Sequence, residues 1–195
     1  MDYREVNGQA ILRRAAEVAA AGMHGLLLTG SAGTGKTMIA KRIPTILPGL
    51  TREEDIEISR IYSICGLLPA GRPLLSERPF RSPHHTITAR ALAGGGVPPR
   101  PGELSLASGG VLFLDELPHF SPFAVEILRQ PLEERKITVT RVSGNYEFPA
   151  DFMMVAAMNL CPCGFYPDRN RCNCSENQIR RYLGCLLYTS DAADD

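Results

Sequence analysis

The stretch "LTGSAGTGKT" at residues 28–37 decides the fold. From Gly30 onward it follows the pattern G-x-x-x-x-G-K-[ST], in which glycines let successive backbone N–H groups curl around a phosphate. We expect Lys36 to reach the β- and γ-phosphates of a nucleotide and the Thr37 hydroxyl to ligate Mg²⁺. The residues of the predicted loop are Gly30, Ser31, Ala32, Gly33, Thr34, Gly35, Lys36, Thr37 and Met38.

The flanking residues favour this interpretation over an ordinary glycine turn. The apolar run at 25–28 predicts a buried strand before the loop. Residues 36–47 place Ile39, Ile43 and Leu47 at helical spacing after it. Strand, loop and helix in this order are the context that a phosphate-binding loop requires.

The segment "VNGQ" at residues 6–9 is a second, weaker candidate for nucleotide contact. It stands where an alanine-rich helix is predicted to begin, over residues 8–22. We expect Val6, Gly8 and Gln9 to pack on the adenine.

Two carboxylates follow another apolar run, "GVLFLDE" at 110–116. Four apolar residues predict a strand buried on both faces, with Asp115 and Glu116 at its carboxyl end. We expect Asp115 to hold Mg²⁺ and Glu116 to polarise the water that attacks the γ-phosphate. The alternative is a charged strand end that merely starts a helix.

The remaining pattern alternates helices and strands. Helices are predicted at 50–66, capped by Thr51, and at 121–134, capped by Ser121; a hairpin with "SGN" as its turn is predicted at 136–150. A last buried strand, 152–159, ends at Asn159, which would orient the attacking water or touch the γ-phosphate, or else form a structural turn. This order predicts an α/β fold with a doubly wound, mainly parallel sheet, in which ligands bind at the carboxyl ends of the strands.

Residues 67–108 are rich in Pro, Gly, Arg and Ser and are interpreted as a functional insertion, with short strands near 86–88. A basic stretch within it is a candidate contact for DNA phosphates, the alternatives being a solvated loop or a subunit interface. Its members are Arg78, Arg81, His84, His85, Arg90 and Arg100.

Four cysteines lie in a loop at 160–175, as the pairs Cys161-x-Cys163 and Cys172-x-Cys174. Four thiolates suit a tetrahedral Zn²⁺, although C-x-C is a less common spacing than C-x₂-C, and four reduced loop cysteines are the alternative. Cys65 is expected to fill space in the core, and Cys185 belongs to the C-terminal tail.

The composition restricts the functional classes. Hydrophobic residues make up 44% of the 195 residues, enough for a core. Lys plus Arg and Asp plus Glu are both 21, so nucleic-acid binding would depend on local patches. No apolar stretch approaches the roughly 20 residues of a membrane span. We therefore expect a cytoplasmic protein without a membrane partner, whose cysteines are reduced.

The motifs resemble those of a known family. "GSAGTGKT", "VLFLDE" and the "MN" that ends a strand resemble Walker A, Walker B and sensor 1 of AAA+ ATPases. Three longer stretches closely resemble the magnesium-chelatase-like ComM/YifB proteins: "RPFRSPHH" (78–85), "GGGVPPRPGELSLASGGVLFLDEL" (94–117) and "AAMNLCPCG" (156–164).

The resemblance implies an AAA+ P-loop ATPase that assembles with copies of itself into a ring, as a hexamer, and acts on DNA in branch migration during transformation and recombination. It also implies that 67–108 is the helix-2 insertion and 136–150 the hairpin before sensor 1. The competing functions are a chelatase-type motor that remodels a protein partner and a nucleotide-dependent scaffold with little turnover.

Residues 1–184 are expected to form the ATPase core. The family pattern places a protease-like domain before this region, and an arginine finger and helical lid after it, which this sequence is interpreted as lacking. Since the finger acts on the γ-phosphate as charge develops, we expect the given chain to bind ATP better than it hydrolyses it. The end of the chain, residues 185–195, is interpreted as a non-native tail.

Overall fold

The structure is a computed structural model that describes residues 2–6, 8–71, 73–142 and 144–184. Its strands are β1 Leu26–Thr29, β2 Phe80–Arg81, β3 Gly94–Gly95, β4 Arg100–Pro101, β5 Val111–Leu114, β6 Lys136–Arg141, β7 Gly144–Pro149 and β8 Met153–Met158. Its α-helices are α1 Ala10–Gly22, α2 Lys36–Ala40, α3 Arg52–Ile64, α4 Ala89–Ala93, α5 Glu103–Leu106, α6 Pro122–Glu126, α7 Arg129–Glu134 and α8 Glu176–Leu183. Short 3₁₀ helices lie at Tyr3–Glu5, Ile43–Thr45 and Leu117–His119.

Four strands form a parallel sheet in the order β1-β8-β5-β2. Strand β8 lies in the middle and pairs with β1 on one side and β5 on the other. The carboxyl ends of β1, β8 and β5 therefore meet at one edge of the sheet, as the alternation of elements predicted.

Helices cover both faces of this sheet, which confirms the doubly wound arrangement. Along β5, Val111 and Phe113 face the cluster that includes Ile39 and Ile43, because side chains alternate along a strand. Leu112 faces the cluster on the opposite side of the sheet, which includes Phe120, Ala124 and Leu128. All four residues of β5 are fully buried, as their continuous apolar run predicted.

Strand β1 differs from the prediction of a buried run. Leu28 packs into the first cluster, but Leu27 is 42% exposed. Strand β1 is at the edge of the sheet, and the second cluster does not extend over it. One face of β1 therefore remains open to solvent.

Two of the predicted helices are interrupted, and in each case proline explains the break. The helix predicted over 36–47 ends at Ala40, and the one predicted over 121–134 divides into α6 and α7. Pro44 and Pro131 lack the N–H that an α-helix needs, and their rings clash with the carbonyl four residues earlier. Ile39, Ile43 and Leu47 are buried nevertheless, as their spacing predicted.

The other helix predictions agree more closely with the structure. Helix α1 begins at Ala10, two residues later than predicted, and α3 begins after Thr51, whose hydroxyl accepts from the backbone N–H of Glu54 in a capping box. Among the described residues, no helix has both the length and the apolar character needed to cross a lipid bilayer.

The prediction of strands near 86–88 is wrong, because Thr88 instead caps the N-terminus of α4. Residues 67–108 nevertheless supply strand β2 to the main sheet, so part of this region is integral to the core. The predicted hairpin forms from β6 and β7, but Gly144 and Asn145 pair with Arg141 and Thr140 and therefore belong to the strand. Ser143, also assigned to the turn, lies outside the described residues.

Strand β2 is held by an ion pair as well as by its two residue pairs with β5. Arg81 Nε donates to Glu103 Oε2 at 2.7 Å, and Arg81 Nη2 donates to Glu103 Oε1 at 2.6 Å. These hydrogen bonds raise the pKa of Arg81. This bidentate ion pair connects β2 to α5.

We predict that Glu103→Gln lowers the free energy of unfolding by about 1–2 kcal/mol, since it removes one charge from a two-bond pair that is partly exposed. The matched control is Glu133→Gln, which removes the exposed Arg129–Glu133 pair within α7 and should cost no more than about 0.5 kcal/mol. Chemical denaturation of both variants measures the difference, and equal losses would contradict the role given to Glu103.

Candidate nucleotide-binding site

The loop between β1 and α2 has the backbone of a phosphate cradle. Gly33 and Gly35 adopt φ values of +79° and +83°, a left-handed conformation that other residues adopt only with strain. The space beside Gly33 is open, since a Cβ there would meet no atom within 4 Å. Thr34 Oγ1 donates to the Ser31 carbonyl at 2.9 Å and braces the loop from within. The loop therefore has room for a phosphate.

Lys36 connects this loop to the neighbouring strand. Its ammonium donates to the carbonyls of Gly30 and Ser31 at 2.8 and 2.9 Å, and to Asn159 Oδ1 at 3.2 Å. Burial lowers the pKa of Lys36, while the negative charge of Asp115 acts in the opposite direction. The structure thus brings the predicted Lys36 and Asn159 together at the ends of β1 and β8.

Thr37 and Asp115 form the second contact across the strand ends. Thr37 Oγ1 donates to Asp115 Oδ2 at 2.9 Å, and the backbone N–H of Glu116 donates to Asp115 Oδ1 at 3.0 Å. A hydroxyl and a carboxylate within hydrogen-bond distance offer the oxygen ligands that Mg²⁺ prefers. These residues fit the Mg²⁺ site expected beside a phosphate cradle.

Glu116 has an unusual backbone and neighbours that the sequence analysis did not assign to it. Its φ is +56°, in the left-handed region. Its carboxylate Oε2 lies 3.5 Å from Nδ1 of His85 and 3.4 Å from Nδ1 of His119. His85 follows β2, whose carboxyl end lies at the same sheet edge, so recognising β2 as a strand of this sheet would have placed His85 near Glu116.

The three N-terminal residues predicted to contact adenine lie in different environments. Gln9 reaches the loop, where its Nε2 donates to the Thr34 carbonyl at 2.6 Å. Val6 is 1% exposed and packs in the first core cluster, while Gly8 is exposed. Asn7, in the same stretch, lies outside the described residues. Contact of Val6 and Gly8 with an adenine stays a prediction.

The four predicted cysteines converge. The sulfur of Cys161 lies 3.3 Å from that of Cys163 and 3.7 Å from that of Cys172, and all four sulfurs lie within 4.8 Å of one another. Zn–S bonds of about 2.3 Å imply sulfur–sulfur edges of about 3.8 Å in a tetrahedron, close to these values. The cluster could therefore hold Zn²⁺.

Hydrogen bonding and burial act on these thiols in opposite directions. A backbone hydrogen bond at Phe165, together with the Cys161 sulfur, lowers the pKa of Cys163 to about 6. A backbone hydrogen bond at Cys174 favours the Cys172 thiolate, but burial and the neighbouring sulfurs outweigh it and raise the pKa of Cys172 to about 11. Cys65 is half-buried elsewhere, and Cys185 lies outside the described residues.

The cysteine loop borders the phosphate loop. Gly164, at φ +79°, lies so close that a Cβ on it would be 3.6 Å from Asn159 Nδ2 and 3.9 Å from the backbone nitrogen of Ala32. The side chain that accepts from Lys36 is therefore in contact with the cysteine loop.

The basic stretch divides into two groups. Arg78 donates to the carbonyls of Pro48 and Gly109, and Arg81 is paired with Glu103, so both are committed to structural contacts. Arg90 and Arg100 are exposed instead, on α4 and β4. The Arg90 side chain lies beside Gly95, and the Arg141 side chain approaches the same glycine from the β6–β7 hairpin.

Comparison with solved structures confirms the fold. The chain superimposes on the complex between subunits BchI and BchD of magnesium chelatase with a TM-score of 0.63 and 19% identity, over 98% of this chain and 71% of that one. It matches NtrX from Brucella abortus in complex with ADP with a TM-score of 0.54 and 20% identity, over 92% of this chain and 36% of that one. The fold is that of an α/β P-loop NTPase core.

Curated relatives are closer in sequence. Competence protein ComM of Haemophilus influenzae is 45% identical over 186 residues, and YifB of Escherichia coli K12, an uncharacterised protein, is 45% identical over 185. An uncharacterised protein of Mycobacterium tuberculosis H37Rv is 47% identical over 186 residues. Each alignment covers 95% of this chain, but the chain spans little more than a third of their length, 36–37%.

The model of the family described as magnesium chelatase, subunit ChlI, matches residues 2–188. That range contains the phosphate loop, both carboxylates at the end of β5, Asn159 and the four cysteines. The chain therefore belongs to the magnesium chelatase ChlI family and resembles its ComM and YifB members.

Proposed function

We propose that this chain binds Mg²⁺-ATP at the carboxyl ends of β1, β5 and β8, and that these residues hydrolyse it efficiently in a protein of the relatives' full length, where an arginine finger can act on the γ-phosphate. The 2.9 Å contact between Thr37 and Asp115 carries the proposal, because it joins the phosphate loop to the acidic strand end from 78 residues away. A glycine cradle, a half-buried lysine and an oxygen-ligand pair within one site are the parts that phosphoryl transfer requires.

Each side chain has a separate role in this proposal. When the nucleotide binds, the Lys36 ammonium would donate to the β- and γ-phosphates instead of to the loop carbonyls. Thr37 and Asp115 would hold Mg²⁺. Glu116 accepts a proton from the attacking water, and Asn159 orients that water or the γ-phosphate. Gln9 supports the loop through its bond to Thr34.

We predict that Lys36→Ala weakens ATP binding by about 10- to 100-fold, because it removes charge-assisted hydrogen bonds to phosphate. Glu116→Gln should retain binding and lose hydrolysis by about 10²- to 10⁴-fold, because the amide cannot accept the proton. Calorimetry measures binding, and phosphate release measures hydrolysis.

The control is Lys41→Ala, which removes an exposed lysine directly after α2 and should change neither quantity. Equal ATP affinity in Lys36→Ala and the unaltered chain would rule out the proposed site.

We propose further that the whole protein forms a ring, as a hexamer in the cytoplasm, and acts on DNA. One relative is named a competence protein, which supports a role in DNA uptake or recombination. Exposed Arg90 and Arg100 lie beside Gly94–Gly95, and Arg141 approaches Gly95 from the β6–β7 hairpin. Since the net charge is zero, such a local patch is what would attract phosphates.

We predict that the triple change Arg90→Gln, Arg100→Gln, Arg141→Gln weakens DNA binding and reduces the slope of log affinity against log salt by about 2–3 units, since each phosphate contact releases about one counterion. Fluorescence anisotropy with branched and single-stranded DNA over a salt series gives the slope. The control removes the same charge from exposed positions on α1 and α3, through Arg14→Gln, Arg52→Gln and Arg60→Gln.

An unchanged slope in the first triple variant would contradict the DNA surface. ATP hydrolysis that is insensitive to DNA in a chain of the relatives' full length would favour a motor that remodels a protein partner. Nucleotide binding with little turnover there would favour a scaffold.

We also propose that the four clustered cysteines hold one structural Zn²⁺. We predict about one Zn²⁺ per chain by elemental analysis, and its release in the double variant Cys163→Ser, Cys172→Ser. The control, Cys65→Ser, changes a half-buried cysteine outside the cluster and should retain the metal. Reduced protein that contains no zinc would leave the loop as free thiols.

A further inference from the structure

We propose that His85, Glu116 and His119 form a second metal site, which binds a transition-metal dication such as Zn²⁺ or Co²⁺ and withdraws Glu116 from hydrolysis. The ligand atoms of these three residues lie within 4.8 Å of one another. They come from two different parts of the chain: His85 follows β2, whereas Glu116 precedes the 3₁₀ helix after β5 and His119 is the last residue of that helix. The inhibition, but not the metal site, rests on the proposed ATPase function.

The spacing of the ligand atoms matches a tetrahedral ion. Zn–N and Zn–O bonds of about 2.0–2.1 Å imply ligand–ligand edges of about 3.3–3.4 Å. Glu116 Oε2 lies 3.5 Å from His85 Nδ1 and 3.4 Å from His119 Nδ1. The carboxylate oxygen thus stands at tetrahedral distance from both imidazoles.

Neighbouring rings hold the two imidazoles in place. The His85 ring lies against that of His84, tilted by 34° with ring centroids 4.0 Å apart, and meets Phe120 edge-on at 6.5 Å. His119 meets Tyr182 of α8 edge-on at 6.2 Å. His84 is not one of the three clustered ligand residues, and its Nδ1 lies 2.9 Å from Thr86 Oγ1. Orientation of this kind limits the reorganisation that metal binding requires.

The three residues also leave a position for solvent or substrate. The side chains of Glu116 and His119 are 55% and 49% exposed, and that of His85 is 28% exposed. Three protein ligands with an open fourth position are typical of zinc sites that are not purely structural. An ion can therefore enter from solvent without unfolding the loop.

The ligand types separate this site from the neighbouring Mg²⁺ site. Two imidazoles and one carboxylate favour Zn²⁺, Co²⁺ or Ni²⁺, whereas Mg²⁺ prefers oxygen ligands alone. Thr37 and Asp115 offer oxygens, and they contact each other at 2.9 Å. The two neighbouring sites therefore differ in the metal that they prefer: the oxygen site favours Mg²⁺, and the imidazole-containing site favours a transition-metal dication.

Occupation of the site would act on one step of the ATPase. Coordination through Oε2 places a dication on the Glu116 carboxylate and lowers the basicity that it needs in order to accept a proton from water. Lys36, Thr37 and Asp115 are not ligands of this ion, so nucleotide binding should persist. The metal would thus reproduce the effect of Glu116→Gln in a reversible form.

The test begins with protein incubated with one equivalent of Zn²⁺, so that the thiolate cluster is occupied, and then titrates Co²⁺ while recording visible spectra. We expect one Co²⁺ per chain with d–d bands but no sulfur-to-cobalt charge transfer. His85→Asn and His119→Asn should each weaken this binding by at least about tenfold. His24→Asn, which changes a histidine at the amino end of β1, should bind like the unaltered chain.

A second arm measures ATP binding and hydrolysis at saturating Mg²⁺ with buffered Zn²⁺. This arm uses a protein of the relatives' full length. Hydrolysis should fall at least tenfold on occupation of the site while ATP affinity stays unchanged, and the two histidine variants should resist this loss. Equal Co²⁺ uptake by all variants, or uptake only with the charge-transfer band of thiolates, would overturn the metal site. Undiminished hydrolysis with the site occupied would overturn the inhibition. Failure of the full-length protein and of every variant to hydrolyse ATP would overturn the proposed function, and the Co²⁺ titration would then test the metal site by itself.

Discussion

The position of β8 between β1 and β5 is the constraint on which the site depends. Because all three strands are parallel, their carboxyl ends share one edge, and residues distant in sequence meet there. Lys36, after β1, bonds to Asn159 at the end of the neighbouring strand β8, and Thr37 bonds to Asp115 at the end of β5, on the far side of β8. The buried apolar surface of β5 and β8 stabilises this arrangement, so core packing and site geometry are aspects of the same structure.

Much of this could be predicted from local sequence. The phosphate loop is recognisable because its glycines, lysine and threonine must occupy fixed positions, and β5 because four consecutive apolar residues suit a strand covered on both faces. The apolar spacing predicts longer helices than Pro44 and Pro131 allow, because proline lacks the N–H and clashes with the preceding turn. Strand β2 could not be found in this way, because two residues carry no periodicity and are held by pairing with β5 and by Arg81–Glu103.

The same limitation applies to the histidines. His85 lies 31 residues before Glu116 in the chain, and only the pairing of β2 with β5 brings them together. The cysteine cluster is predictable from the sequence, because its four cysteines lie within 14 residues. The contact of this loop with Asn159 through Gly164 is not predictable in this way, because it depends on how the loop folds back on β8. The sheet edge therefore combines three ligand sets, namely oxygens, thiols and imidazoles, each suited to a different ion or to a different role.

The central claim is that the strand ends bind Mg²⁺-ATP through Lys36, Thr37 and Asp115. A crystal structure of this chain with Mg²⁺ and a non-hydrolysable ATP analogue tests it most directly. The account predicts phosphates inside the loop of residues 30–37, with Mg²⁺ beside Thr37 Oγ1 and Asp115. Lys36 Nζ should have moved from the carbonyls of Gly30 and Ser31 to the β- and γ-phosphates. A nucleotide bound elsewhere, with Lys36 still bonded to both carbonyls, would contradict the account.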